Sequence, residues 1–460
     1  MNPRNSRKGT ALLLSMIFIL LFSALAVSMA TMTGSNLQMA QNQQKSNAAR
    51  ASAESGLEIV RNWLSSVSIP GTLSEDQRFS AITTQMQNHL STLQNASMTT
   101  SGNKIIISSV NLDDESDKSF SAEITALSND IFQVDITGYA EDFSRKIRVN
   151  FRYGERANTI FDYGVGTRGP LSLHGNIELD GVNVSVEADT YIESFNSSLA
   201  LEIIGNSKIA GNVSIANDYP SEESVHLQGG QAGIGGETGD DAINNHVATG
   251  VAPVEFPEPN PSYFEHWATN TLDDDADLSS HESYDNLRIP AGMNPHFSGG
   301  VTLRGVTYIE QPNEVTFSGT TTIEGIIVAD GDWEDDSGTN KLDFTGNIVS
   351  KSVEELPYEE QFDGLHEETG TFIVAPGFAA SFGGNFDTIN GAIAANGIEF
   401  YGNAGGTIGG SVINYADTQM LLSGNNNLYF NRSGLTEVPA GFEPELIIYY
   451  EPHSYAEAGF

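Results

Sequence analysis

Residues Ala11–Ala30 read ALLLSMIFILLFSALAVSMA, an unbroken stretch without a charge. About 20 apolar residues is the length that carries a helix across the hydrocarbon of a bilayer. The flanks orient it. Arg4, Arg7 and Lys8 precede the stretch, no charge occurs between Gly9 and Gln44, and the acidic bulk of the chain follows. Basic residues stay on the cytoplasmic side. The expectation is a single-pass membrane anchor with the N-terminus in the cytoplasm and the C-terminus outside it. A Sec-type signal is the alternative. Small residues at Ala24 and Ala26, or at Ser28 and Ala30, suit a signal peptidase, and the mature chain would then begin near Thr31.

Towards the C-terminus the helical pattern continues. Ala49, Ala53, Gly56, Leu57, Val60, Trp63, Leu64 and Val67 step by three and four along one face. No proline occurs between Pro3 and Pro70. One helix from about Thr10 to Val67 would be roughly 85 Å long. Its lower half is oily, and the Ala, Ser and Gly of its middle let neighbouring helices approach closely.

A basic leader ending in Gly9, a twenty-residue apolar helix and the run Ala51-Ser-Ala-Glu-Ser-Gly-Leu57 together resemble the N-terminus of type IV pilin-like proteins. The nearest group is the PilX-like minor pilins and pseudopilins, which carry an AAEAGL-type stretch at this distance. The resemblance implies that a prepilin peptidase cuts between Gly9 and Thr10. It also implies that Leu12, Leu14, Ile17, Leu21 and Leu25 lie in inner-membrane lipid, and that Ala49, Ala53, Gly56, Leu57 and Val60 pack against other pilin-like subunits. Two positions depart from the pattern. Leu14 stands at the fifth mature position, where major pilins have glutamate, and Thr10 stands where they begin with Phe or Met. Lacking that glutamate resembles the tip-located subunits. A charge in the membrane needs a partner, and a subunit at the filament end has none ahead of it.

The stretch 71–156 reads as a small α+β roll. Ser74 suits an N-cap, with Glu75 and Asp76 in the first turn of a helix reaching about Gln94. Lys104–Val110, Phe120–Leu127, Ile131–Tyr139 and Arg145–Tyr153 read as strands, with turns at Ser128-Asn-Asp130 and Glu141–Ser144. A long helix followed by an antiparallel meander is similar to the pilin roll.

Beyond residue 157 the chain is repetitive. Phe297-Ser-Gly299, Phe317-Ser-Gly319, Phe344-Thr-Gly346, Phe382-Gly-Gly384, Phe400-Tyr-Gly402 and Leu422-Ser-Gly424 place glycines 20, 27, 38, 18 and 22 residues apart. The interval of 38 is close to two turns of 19. Leu173-His-Gly175-Asn176 and Ile203-Ile-Gly205-Asn206 form an outlying pair. Short β-branched runs with a glycine or asparagine at each corner predict a β-solenoid, most simply a right-handed parallel β-helix. A β-sandwich with glycine-rich turns is the other reading. The expected fold is therefore an α+β pilin-like module, with a long transmembrane helix and a small antiparallel sheet, followed by an all-β solenoid. Its divisions are a leader 1–9, a helix 10–70, the roll 71–156 and a solenoid 157–460. An excursion at about 218–295 interrupts the solenoid and holds a short helix near Ser262–Asn270.

Charge and composition narrow the function. The chain has 21 Lys+Arg against 60 Asp+Glu; 14 of each fall in residues 1–156, leaving 7 and 46 for residues 157–460. A field of that sign cannot supply phosphate contacts, so nucleic acid is excluded as a partner. There is no cysteine, hence no disulfide framework and no thiolate metal site. No HExxH, GxSxG or P-loop occurs and no dinucleotide fingerprint follows a strand, the nine histidines are scattered, and no enzymatic activity is expected. Calcium is the one cofactor with candidate ligands. Asp330, Asp332, Glu334 and Asp336 alternate as hard-cation loops do, although no glycine falls where the EF-hand needs it. The function expected is that of a non-enzymatic minor pilin or pseudopilin displaying an acidic solenoid to a surface or an extracellular glycan. The rival is a secreted β-helical protein that binds or degrades carbohydrate.

Overall fold

The long helix forms as one piece, Arg7–Ser65. The computed structural model describes residues 7–71, 73–91, 96–112, 117–128, 131–332, 338–432 and 438–458. The helix stops two residues before the expected Val67. A proline disfavours helical backbone in the residue before it, and Ser68–Pro70 is extended and pairs at a sheet edge. A second helix, Glu75–Ser91, begins where expected. The Ser74 backbone N–H and hydroxyl both donate to Oε1 of Gln77, at 3.2 and 3.0 Å, so the third helical residue reaches back to its cap. The side chains of Glu75 and Asp76, and residues 92–95, lie outside the described residues.

The chain divides into two compact units, Met1–Glu155 with Leu446–Phe460, and Arg156–Glu445. In the first, Met98–Ser101, Lys104–Asn111, Lys118–Ser128, Ile131–Ala140 and Phe143–Arg156 form an antiparallel meander. The final strand, Glu445–Ala458, enters the same sheet between Phe143–Arg156 and Ser68–Pro70. Residues 446–458, assigned from sequence to the solenoid, thus complete this sheet. The buried helix positions Leu57, Val60 and Leu64 share a core with Phe120, Ile124 and Val134 of the sheet. Gly138 sets how close the helix comes: a Cβ there would lie 2.1 Å from the Ala53 nitrogen and 2.3 Å from the Ala49 oxygen.

In the second unit the strands stack as parallel coils. Val165–Thr167, Leu171–Gly175 and Glu178–Gly181 make one coil, and Thr190–Glu193, Leu201–Gly205 and Lys208–Ile209 lie on it in parallel register. Val213–Ala216, Val225–Gln228 and Gly233–Ile234 follow, and Val247–Thr249 ends the run. Parallel pairing throughout the stack, apart from the terminal hairpin at Gly233–Thr238, rules out the antiparallel sandwich. Of the expected excursion at 218–295, its first thirty residues supply these coil strands. The departure from the stack covers about 250–269, with a 3-10 helix at Pro261–Trp267.

The order of coils is permuted. After Val247–Thr249 the chain crosses to the opposite end of the stack, where Asn270–Thr271 is the edge strand. Later coils then step back until Val412–Asn414, Met420–Gly424 and Asn427–Phe430 pair with the first coil, Met420 opposite Leu171 and Leu422 opposite Leu173. The crossing segment is long enough. About 13 extended residues and a seven-residue 3-10 helix reach roughly 57 Å, against roughly 48 Å for ten steps of about 4.8 Å. Both ends of the unit therefore emerge at this seam, where the Arg156 guanidinium and the Asn158 amide bond the buried Glu445 carboxylate at 2.9 and 3.0 Å. A simple stack has its termini at opposite ends. The permutation brings them together, as an insertion between two neighbouring strands requires.

The repeated motif explains itself in this register. Phe297, Phe317, Phe344, Phe382 and Phe400 stack ring on ring at 5.1, 4.9, 5.2 and 4.9 Å. Leu422, Leu173, Ile203 and Leu227 continue the same inward file. The glycine two residues on lies where successive coils pass too closely for a side chain: a Cβ on Gly346 would lie 2.0 Å from the Gly319 oxygen, and one on Gly175 2.3 Å from the Gly424 oxygen. At Gly402, Gly424, Gly175, Gly205 and Gly229 the φ is positive as well. Phe344 pairs directly with Phe382, so the 38-residue interval is one coil with a long outward loop, and the two-turn reading is corrected. Stacking fixes only the strands; a corner loop can lengthen into solvent without changing the register.

Candidate functional site

Every residue from 11 to 44 is exposed on the long helix. This is the one helix among the described residues long and apolar enough to cross a membrane. Leu12, Leu14, Ile17, Leu21 and Leu25 are 74, 58, 48, 60 and 56% exposed, although each is costly to leave in water. Gly9 and Thr10 lie in its first turn; the side chains of residues 1–10 are outside the described set.

The helix changes character at Ser46. Ala49, Ala53, Gly56, Leu57 and Val60, expected to meet other subunits, are buried against the sheet of their own unit. A Cβ on Gly56 would lie 2.6 Å from the Phe120 ring. Their small side chains serve close approach, but to a sheet of the same chain. The three-and-four spacing is the same for either partner, so periodicity alone could not separate them. The exposed segment 11–44 is the helix surface left for lipid or another helix.

The candidate calcium ligands are not gathered into a site among the described residues. The Tyr308 hydroxyl donates to the Asp330 carboxylate at 2.9 Å, and the Asp332 backbone N–H donates to Gln311 at 3.3 Å. Glu334 and Asp336 lie outside the described residues. Among those described, no group of three or more His, Asp or Glu side chains is placed to hold a metal ion.

The outer face of the longest sheet carries a second apolar layer. Tyr191, Val306, Ile326, Val328, Val374 and Ile413 point outward into it, while Ile192, Ile309, Ile327, Ile373 and Val412 point into the coil interior. Strands buried on both faces lose the polar alternation of a half-exposed sheet, hence the runs Ile326–Ala329 and Phe372–Ala375. The crossing segment is pinned here. The Tyr191 hydroxyl accepts from the Val254 backbone N–H at 2.8 Å, the Tyr415 hydroxyl donates to the Pro257 carbonyl at 2.6 Å, and the Arg168 guanidinium lies 4.9 Å from the Phe256 ring centre. Burial, ahead of any neighbouring charge, pushes the Tyr191 phenol up to about 12 and raises that of Tyr415 too, so both hydroxyls remain protonated near neutrality.

No protein-family model matches the sequence, and no curated protein matches it. Among solved structures, the competence-associated pilin ComZ from Thermus thermophilus is 12% identical over 90% of this chain and 98% of its own, with a TM-score of 0.22. At that score the likeness decides neither fold nor function.

Sequence reasoning missed a feature on the first coils. Phe195 and Tyr219 are 47 and 37% exposed and line one cleft of ≈ 700 Å³ with Asn217, Asp218, Thr249 and Pro253. The signal was a lone aromatic inside a polar turn run, Ser194-Phe-Asn-Ser-Ser198, with a second in Asn217-Asp-Tyr-Pro220.

Proposed function

We propose that the chain is a non-enzymatic minor pilin or pseudopilin subunit of a type IV pilus or a type II secretion-type filament. It is held in the inner membrane before assembly and displays an acidic, right-handed parallel β-helix outside. The observation that carries this reading is the division of one continuous helix into a fully exposed apolar half and a half docked on an antiparallel sheet. Exposed apolar surface of that extent calls for lipid or neighbouring helices. A helix that runs unbroken past Ala30 into a docked segment also has no structural break at the sites a signal peptidase would use. Right-handedness is the sense that parallel crossovers favour.

Prepilin peptidase would release residues 1–9, leaving Thr10 as the first residue. Ala11–Ala30 would sit in the membrane, segment 11–44 would then pack among other pilin-like subunits, and the coils would meet the envelope, a surface or a glycan. Mass spectrometry of the membrane fraction tests this. A mature start at Thr10, abolished in Gly9→Trp, is expected. A start near Thr31 in a soluble fraction overturns it in favour of an ordinary secreted protein.

A further inference from the structure

We propose that the cleft lined by Phe195 and Tyr219 binds a neutral saccharide, a proposal that rests on the reading that the coils are displayed outside the membrane. The register Glu193 opposite Ala216 sets Phe195 level with Asp218 on the next coil, so the two rings face one cleft from adjacent coils. Neither ring packs on another aromatic among the described residues.

Both loops are held from below by buried polar side chains. The Asn217 amide donates to the Ser224 hydroxyl at 2.9 Å and its oxygen accepts from the Tyr219 backbone N–H at 3.4 Å, while the Ser224 hydroxyl reaches the Tyr219 carbonyl at 3.3 Å. On the neighbouring coil the Ser194 hydroxyl donates to the Ser197 carbonyl at 3.1 Å. Asn217, Ser224 and Ser194 are each at most 4% exposed. The third wall, Gly250–Pro253, begins with the Val251 N–H bonded to the Ile215 carbonyl at 3.3 Å. Loops fixed in this way lose little freedom when a ligand arrives.

The lining selects the ligand. Aromatic faces receive the C–H face of a sugar ring, and a few placed polar groups, here Asp218, Thr249 and the Tyr219 hydroxyl, meet its hydroxyls. Asp218 is the lone carboxylate on the lining and no cation joins it. In a region with 7 basic and 46 acidic residues, an anionic saccharide is repelled.

The test uses the full chain in polyoxyethylene-ether micelles, whose head groups contain no sugar. Maltotetraose, cellotetraose and chitotetraose are titrated beside an oligogalacturonate, with binding read by calorimetry and saturation-transfer NMR. At least one neutral tetrasaccharide is expected to bind and the oligogalacturonate is not. Phe195→Ala and Tyr219→Ala should each weaken binding about tenfold or more, while Phe195→Trp retains it. No neutral saccharide bound at about 10 mM, binding unchanged in both alanine variants, or a proline-rich peptide bound in place of sugar would each overturn the proposal. Filament incorporation of the same chains is scored separately. Wild-type protein that binds sugar but never enters a filament overturns the assembly reading and leaves the cleft standing. Incorporated protein that binds no sugar does the reverse.

Discussion

The helix-on-sheet unit buries one face of its sheet and the coil stack buries both faces of its longest one, and they find their partners at different distances along the chain. In the sheet unit each meander strand pairs with its sequence neighbour, as Phe132 does with Phe151. In the stack a typical partner lies one coil away, and at the seam Asn414 bonds Thr167 across 247 residues. Local pairing is specified by turns and hydrophobic alternation. Distant pairing is specified by what every coil edge shares, an inward apolar file and a corner glycine. The first unit should therefore fail where helix meets sheet, and the second where its file or its seam is broken.

The largest effect is expected at Gly138. Gly138→Val places carbon against backbone of the long helix, which no rotamer can relieve, and should cost about 4 kcal/mol or more. Trypsin should then cut at Arg50 and Arg61, while the stack's own unfolding transition stays in place. If both units melt together, their independence is lost.

Next comes the phenylalanine file. Phe344→Ala removes a fully buried ring stacked on both sides and should cost about 3–5 kcal/mol, against about 2–4 for Leu173→Ala in the aliphatic stretch. Denaturant titration of the two variants checks the order. Equal costs would mean that neither the larger ring nor its stacking adds to the stability of the file.

The seam should be softer. Arg432 donates to the carbonyls of Glu187, Phe161 and Val186 at 2.8, 3.0 and 2.9 Å, tying the last coil to the first. Arg432→Met leaves those acceptors without their donor and should cost about 2 kcal/mol. Amide exchange should quicken in Leu171–Gly175 and not in Val301–Glu310. Uniform quickening would mean that the seam is no weaker than the rest.

The smallest effect is one of pH. Burial pushes the Asp135 carboxyl up, but hydrogen bonds from Arg148, at 2.6 and 2.8 Å, and then from Lys146 outweigh it and hold the group below the usual carboxylate range. A depressed folded value means stability that is present above the unfolded value of about 3.9 and is lost as pH falls through the folded one. The sheet unit should weaken below about pH 4, and Asp135→Asn should flatten that slope. The stack has its own depressed carboxyls at Glu187 and Glu202, so the control is that Asp135→Asn leaves the stack's transition, at each pH, where it was.

Much of the sheet unit was legible from residues alone. The run Ile131–Tyr139 became Ile131–Ala140 and Lys104–Val110 became Lys104–Asn111, because a half-buried antiparallel strand writes its alternation into a few consecutive residues. The final strand, Glu445–Ala458, was not legible. Nothing in its own pattern says that it skips the whole stack to pair beside Phe143–Arg156. Of the candidate sites, the apolar helix was legible because membrane length is a property of one segment. The docking role of Ala49 and Ala53 was hidden because small residues suit any close neighbour. The Phe195–Tyr219 cleft was hidden because its two aromatics come from different coils.

The sequence by itself determined the long apolar helix, the meander, the acidic charge of the C-terminal region, and the repeating file of Phe, Leu and Ile with its corner glycines. Only the tertiary structure decided which coil lies on which. Each coil presents nearly the same edge to its neighbour above and below, so local pattern leaves their order degenerate. The choice falls to a crossing segment long enough to traverse the stack, to Tyr191, Tyr415 and Arg168 that hold it down, and to chain ends that must leave the stack side by side.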